Sequence, residues 1–203
     1  MLQDKIDEKL EKFNNIQSLE SKNNNYLFLE YSKSHNDDTV NRMISKILDD
    51  SRCFERDNYE GHFTASAWIV TQDNSKALIT HHKKLGLKLQ LGGHCDGDSN
   101  LLRVAIKEAM EESGITNLGF STKILDLDIH KIPANKNTPE HEHFDVRFLI
   151  IVPNDSVFTV SEESTNLEWI SKDYDASECT TGFKRLFEKW LSLDLDEYVF
   201  NWL

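Results

Sequence analysis

Residues 93–115 read GHCDGDSNLLRVAIKEAMEESGI, and their spacing decides how the rest of the chain is read. Gly92 and Gly93 predict a turn, followed by a helix over about 99–113 that stops at Gly114. A glycine suits the left-handed position just past a helix end. With 100° per residue and Ser99 at zero, Glu111, Glu108 and Glu112 fall at roughly 120°, 180° and 220°. Leu102, Ala105, Ile106, Ala109 and Met110 gather near roughly 300°. The helix therefore has an apolar face and a separate acidic one. Carboxylates at i, i+3 and i+4 repel one another, so the acidic face calls for a cation. Mg²⁺ and ions like it prefer carboxylate oxygens and water, with substrate phosphates completing the shell.

These residues resemble the Nudix box: a glycine, five residues, a glutamate, seven residues, then R-E-U-x-E-E-x-G-U, with U aliphatic. Counted from Gly93 the spacing fits without a gap, and Lys107-Glu108-Ala109-Met110-Glu111-Glu112-Ser113-Gly114-Ile115 fills the second half. Two positions depart. Ser99 stands where the family has its first glutamate, and Lys107 where it has arginine. Lysine keeps the charge but loses the planar fork that holds a carboxylate through two bonds. The resemblance implies an α+β fold, a Nudix-like α/β/α sandwich with a mixed sheet. It also implies a metal-dependent hydrolase that cleaves the diphosphate linkage of a nucleoside diphosphate joined to another moiety, such as ADP-ribose. Mg²⁺ or Mn²⁺ would be held by Glu108, Glu111 and Glu112, with a backbone carbonyl of Gly92 or Gly93. A box glutamate or Glu163, in the loop Ser161-Glu162-Glu163-Ser164, would act as base.

Composition narrows the alternatives. A chain of 203 residues holds one domain with an extension. A net charge of −12 argues against a nucleic-acid surface, whereas a small phosphorylated ligand can be bound where metal ions supply positive charge. Cys53, Cys95 and Cys179 form no CxxC pair, which excludes a cysteine zinc site and fits a reducing compartment, the cytoplasm. The charged N-terminus lacks the apolar core of a signal peptide, and no run approaches a membrane span.

Leu2, Ile6, Leu10 and Phe13 recur at helical spacing and predict a helix over 2–20. A polar break at 21–25 follows, then a second helix from Asp38, read as its N-cap, to Leu48, with Val40, Met43, Ile44 and Ile47 inward. Residues 1–55 are thus expected to be a helical extension that packs on the domain of 56–203, regulates it or supports a homodimer. Strands are expected at 62–70, 76–82, 87–91, 120–130, 143–152 and 166–171, with a last helix near 182–192.

A second polar cluster lies in ILDLDIH (124–130) and HEHFDVRF (141–148). Asp126, Asp128 and His130 alternate with apolar residues, as do His141, His143, Asp145 and Arg147. Paired as a hairpin about the Pro-rich loop 131–140, His130 would meet His141, Asp128 would meet His143, and Asp126 would meet Asp145. His94, His130, His141 and His143 then become candidates to bind a nucleotide or a transition metal, since imidazole favours Zn²⁺, Mn²⁺ or Fe over Mg²⁺. His62, His81 and His82 read as surface or packing residues. Two further function classes stay open. One is a nucleotide-binding Nudix domain impaired in catalysis by Ser99 and Lys107. The other is an isomerase of the isopentenyl diphosphate type, to which Cys95 would be relevant.

Overall fold

The computed structural model describes residues 1–17, 23–35, 37–83, 85–162 and 164–203. Strand β1 (His62–Thr71) is buried along its whole length. Its alternate residues serve two faces. Phe63, Ala65, Ala67 and Ile69 enter one apolar core, and Trp68 and Val70 enter another. A strand buried on both sides must satisfy its backbone along both edges. One edge pairs in parallel with β6 (His141–Val152), in register from His62↔His143 to Thr71↔Val152. The other edge is divided between two antiparallel strands. Thr64 to Ala67 pair with β4 (Leu91–His94), and Ile69 and Val70 pair with β2 (Lys76–His82). Strands β3 (Leu87–Leu89) and β7 (Ser164–Ser171) flank β2, while β5 (Gly119–Ile132) and β8 (Phe200–Trp202) continue the sheet beyond β6.

Helices α1 (Leu2–Ile16), α2 (Asn24–Ser32), α3 (Asp38–Asp49) and α4 (Leu101–Ser113) share the core of Phe63 and Ala65. Helix α5 (Thr181–Leu191) covers the opposite face with Phe183, Leu186, Phe187 and Trp190. The result is the expected α/β/α sandwich on a mixed sheet. No helix of the described residues is long and apolar enough to cross a membrane.

Several expectations need correction. The polar run at 21–25 contains a helix start. Asn23 caps α2, its side chain accepting from the N–H groups of Asn25 and Tyr26 at 3.0 and 3.4 Å. Leu27, Phe28 and Tyr31 then bury one face of that helix. The expected continuation of α1 through 18–20 lies outside the described residues. The N-cap of α3 is Asp37 rather than Asp38, with the Asp37 carboxylate accepting from Val40 N–H at 3.1 Å. The β5–β6 hairpin is shifted by two residues from the expected register. Its strands continue to Ile132 and His141, so His130 pairs with His143, Asp128 with Asp145, and Asp126 with Arg147. An even shift preserves which side chains share a face.

That shift places Arg147 among three carboxylates. The guanidinium is almost fully buried and donates to Asp145 at 2.8 Å, Asp126 at 2.9 Å and Asp128 at 2.9 Å, and to the Gly182 carbonyl at 3.0 Å. From α5, Arg185 bonds both Asp126 and Asp128, and Lys189 lies 2.8 Å from Asp126. Helix α5 comes so close that a Cβ on Gly182 would stand 2.7 Å from an Asp128 oxygen. Burial pushes both Asp126 and Asp128 upward. Hydrogen bonds from Arg185 to Asp126 and from His130 to Asp128, with the charge of Arg147 on each, outweigh it and hold both carboxyls below their usual range.

A depressed carboxyl stabilises the fold above its unfolded pKa of about 4, and loses that contribution as pH falls toward the folded value. Melting temperature should therefore hold down to about pH 5 and fall below about pH 4, with a shallower fall in Asp128→Asn. Arg147→Ala leaves buried carboxylates without their central partner. It should cost about 3–5 kcal/mol in urea denaturation; a wild-type midpoint would contradict the role given to this network.

Candidate functional site around a glycine pair and a histidine row

Gly92 and Gly93 lie inside β4 rather than in the turn that their sequence predicts. The turn comes later, where Asp96 and Gly97 take φ values of 50° and 85°. The glycines serve close approach instead. A Cβ on Gly92 would stand 2.3 Å from Ser66 Oγ and 2.7 Å from the Ala65 carbonyl oxygen. A Cβ on Gly93 would stand 2.5 Å from Glu108 Oε2. The bare strand thus lets the carboxylates of α4 reach its backbone.

Helix α4 begins later than expected. Asn100 is its N-cap, accepting from Arg103 N–H at 3.1 Å, and Ser99 precedes the helix with its carbonyl accepting from Asn24 Nδ2 at 2.6 Å. Asn100 Nδ2 donates to Gln17 Oε1 at 2.7 Å. The start of the motif is therefore tied to the N-terminal helices rather than to the acidic face. The other end is as expected: Leu102, Ala105, Ile106, Ala109 and Met110 are buried, and Gly114 ends the helix at φ 73°.

Glu112 is buried and accepts from Gly92 N–H at 3.3 Å. Glu108 faces Gly93. Lys107 Nζ bridges Glu108 at 3.3 Å and Glu111 at 3.2 Å. Burial works to lower the Lys107 pKa, but the two carboxylates hold it above the ordinary lysine value. Its charge relieves the repulsion that the helical spacing builds in. Three oxygen donors on one helical face suit a hard divalent ion. Glu162 is exposed, and Glu163 lies outside the described residues.

The histidines occupy the other side of the sheet. On β1, His62, Thr64 and Ser66 alternate with the residues that pack under α4. Gly93 turns toward α4, and His94, next in the chain, turns away from it. Ring centroids of His62 lie 5.2 Å from His94, 4.8 Å from His143 and 5.0 Å from His141, and His130 lies 5.5 Å from His143. His94, His62, His143 and His130 thus form a row across four adjacent strands, β4, β1, β6 and β5. Beyond them on the same face, Asp145 accepts from Thr64 at 3.0 Å, Ser66 at 2.8 Å and Gln90 at 3.2 Å. The three aspartates of this face are all bound by Arg147, and two of them also by α5.

His62 was not among the expected site residues. It is buried beside the others, and the available signal was its alternation with Thr64 and Ser66 along an otherwise apolar strand. His81 is a packing residue as expected, paired with Glu168 at 2.8 Å. Cys95 is buried, and burial followed by the nearby Asp98 and Asp145 charges pushes its thiol far up, so it offers no thiolate.

No protein-family model and no curated protein matches the chain. Solved structures do match. An Ap4A hydrolase of C. elegans, in a binary complex, superposes with a TM-score of 0.53 at 17% identity, over 64% of this chain and 95% of that one. The dihydroneopterin triphosphate pyrophosphohydrolase of E. coli gives 0.53 at 12% identity, over 64% and 94%. The MutT protein of Methanosarcina mazei Go1 gives 0.51 at 18% identity, over 66% and 94%. The chain has the Nudix fold. These Nudix structures are matched over nearly their full length, on about two-thirds of the present chain.

The two glycines make separable demands. Gly92→Ala sets a Cβ against backbone atoms and should cost about 1–3 kcal/mol. Gly93→Ala meets only the end of the Glu108 side chain. It should cost less stability, read by urea denaturation, yet displace Glu108 and weaken Mn²⁺ binding, read by calorimetry.

Proposed function

We propose that this chain is a Nudix hydrolase that cleaves the diphosphate linkage of a nucleoside diphosphate joined to another moiety. The carrying observation is the closure of Glu108 and Glu112 on the Gly92-Gly93 strand, which supports the second half of the box as the place for a diphosphate and its metal. The names of the similar structures, an Ap4A hydrolase and a dihydroneopterin triphosphate pyrophosphohydrolase, support a phosphoric anhydride as substrate class. Residues 56–203 would form the hydrolase domain, with 1–55 as its extension. The three free cysteines suit the cytoplasm.

The donor chemistry of Glu108, Glu111 and Glu112 fits Mg²⁺ or Mn²⁺. When bound, such ions neutralise the diphosphate and make water a better nucleophile. The chain's own groups do the rest. Gly92 N–H holds Glu112 in place, and Lys107 balances charge between Glu108 and Glu111. A box carboxylate or Glu163 takes the proton of the water that attacks phosphorus. His94, His130, His141 and His143 lie on the opposite face of the sheet from these carboxylates, which favours a metal role for them over a nucleotide one.

Hydrolysis of ADP-ribose, dinucleoside polyphosphates, nucleotide sugars and nucleoside triphosphates with Mg²⁺ or Mn²⁺ tests this reading. At least one should be cleaved, and Glu112→Gln should lower kcat/KM by about 100-fold or more, the scale of a lost acid–base group. Equal activity in the variant would remove the box from the chemistry. A second reading, a nucleotide-binding domain without turnover, is favoured by the Lys107 ammonium lying across two of the three carboxylates. Nucleotide binding by calorimetry with every substrate left intact would select it.

A further inference from the structure

Five of the chain's eight histidines crowd one end of the sheet, with neighbouring ring centroids 4.8 to 5.5 Å apart. Among the described residues, the one group of three possible metal ligands whose donor atoms all lie within 4.8 Å of one another is His62, His94 and His143. We propose that these three imidazoles, one from each of three adjacent strands, form a binding site for a divalent transition metal ion of the Zn²⁺ class, with a fourth position open.

The tautomers point the same way. His62 Nδ1 lies 3.1 Å from the Asn58 carbonyl oxygen, which can only accept, so Nδ1 carries the proton and Nε2 the lone pair. That Nε2 is buried without a partner, and so is His143 Nε2. Buried polar atoms left unpaired are costly and uncommon, and here two of them belong to adjacent rings of one row. A histidine whose second nitrogen is held by a carbonyl or carboxylate is the usual arrangement of a metal ligand. His141 Nδ1 on the Pro139 carbonyl at 2.9 Å and His130 Nδ1 on Asp128 at 3.0 Å repeat it in the neighbouring rings.

The donor set selects the metal. Three neutral nitrogens suit Zn²⁺, whereas Mg²⁺ and Ca²⁺ require oxygen. Tetrahedral zinc places its nitrogens about 3.3 Å apart, and the three donor atoms lie within 4.8 Å of one another. Burial, followed by the charge of Arg56, disfavours the charged form of His94, and burial with the neighbouring histidines disfavours that of His143. Arg56, whose charge acts on His94, is itself held by both carboxylate oxygens of Asp96. The site shares no ligand with Glu108, Glu111 and Glu112, which approach β4 from the opposite face. It therefore stands whether or not the box is catalytic.

Metal content of the full chain, purified without chelator and measured by plasma mass spectrometry, should approach one zinc per chain. Replacement by Co²⁺ should give the intense visible absorption of a tetrahedral centre. His143→Gln and, separately, the less buried His94→Asn should weaken zinc binding by more than about 100-fold, beyond the loss typical of an outer-shell change, with circular dichroism confirming that each variant is folded. Glu112→Gln should retain the zinc. The proposal fails if wild-type protein binds zinc no tighter than the folded histidine variants, if Co²⁺ gives only a weak octahedral spectrum, or if Glu112→Gln releases the ion.

Discussion

The divided edge of β1 is the constraint on which the rest of this structure depends. A strand buried on both faces must be hydrogen-bonded along both edges, and here β4 and β2 share one edge between them. The backbone of β4 is thereby pressed against Ala65 and Ser66, where only glycine fits. That bare backbone in turn admits the carboxylates of α4. The acidic face of one helix becomes a site because a neighbouring strand has no side chains to keep it away.

The sheet also separates two chemistries. On one face, α4 offers oxygen ligands of the kind that hard ions prefer. On the other, the row from His94 to His130 offers nitrogen. His94 and Gly93 are consecutive residues, yet strand alternation points them to opposite sides. Between the histidines and α5, Arg147 joins Asp126, Asp128 and Asp145 into one buried network, which fixes the sheet face against the first turn of the helix. Chemistry and anchoring thus occupy successive rungs of the same strands.

Much of this was legible in the sequence, and the failures have physical reasons. The apolar stripe of α4 and its stop at Gly114 followed from periodicity and from the αL preference of glycine. The alternating faces of β5 and β6 were read correctly, but their register was not. Pairing depends on where strands end, and Ile132 and His141 extend the ladder into a stretch whose prolines suggested a loop. Gly92-Gly93 read as a turn because glycine's usual local meaning is conformational, whereas here it answers a contact from β1 and α4 that only tertiary structure reveals. His62 was passed over for the same reason. Nothing near it in sequence says that three other strands bring histidines beside it. Helix α2 was missed because the unbroken run Tyr26-Leu27-Phe28-Leu29 hides the helical spacing of its buried residues, Leu27, Phe28 and Tyr31, and its asparagine cap looked like a break.

The parallel seam between β1 and β6 joins segments about 81 positions apart in the chain, as in the contact of Thr64 with Asp145. Closing so long a loop carries a large entropic cost before any contact rewards it, and topologies of this kind fold slowly. The complete histidine row and the hydrogen bonds from Thr64 and Ser66 to Asp145 are assembled across that seam. A partly folded chain that lacks it can bring His130, His141 and His143 together in the hairpin of β5 and β6, but His62 and His94 join them only when the seam closes.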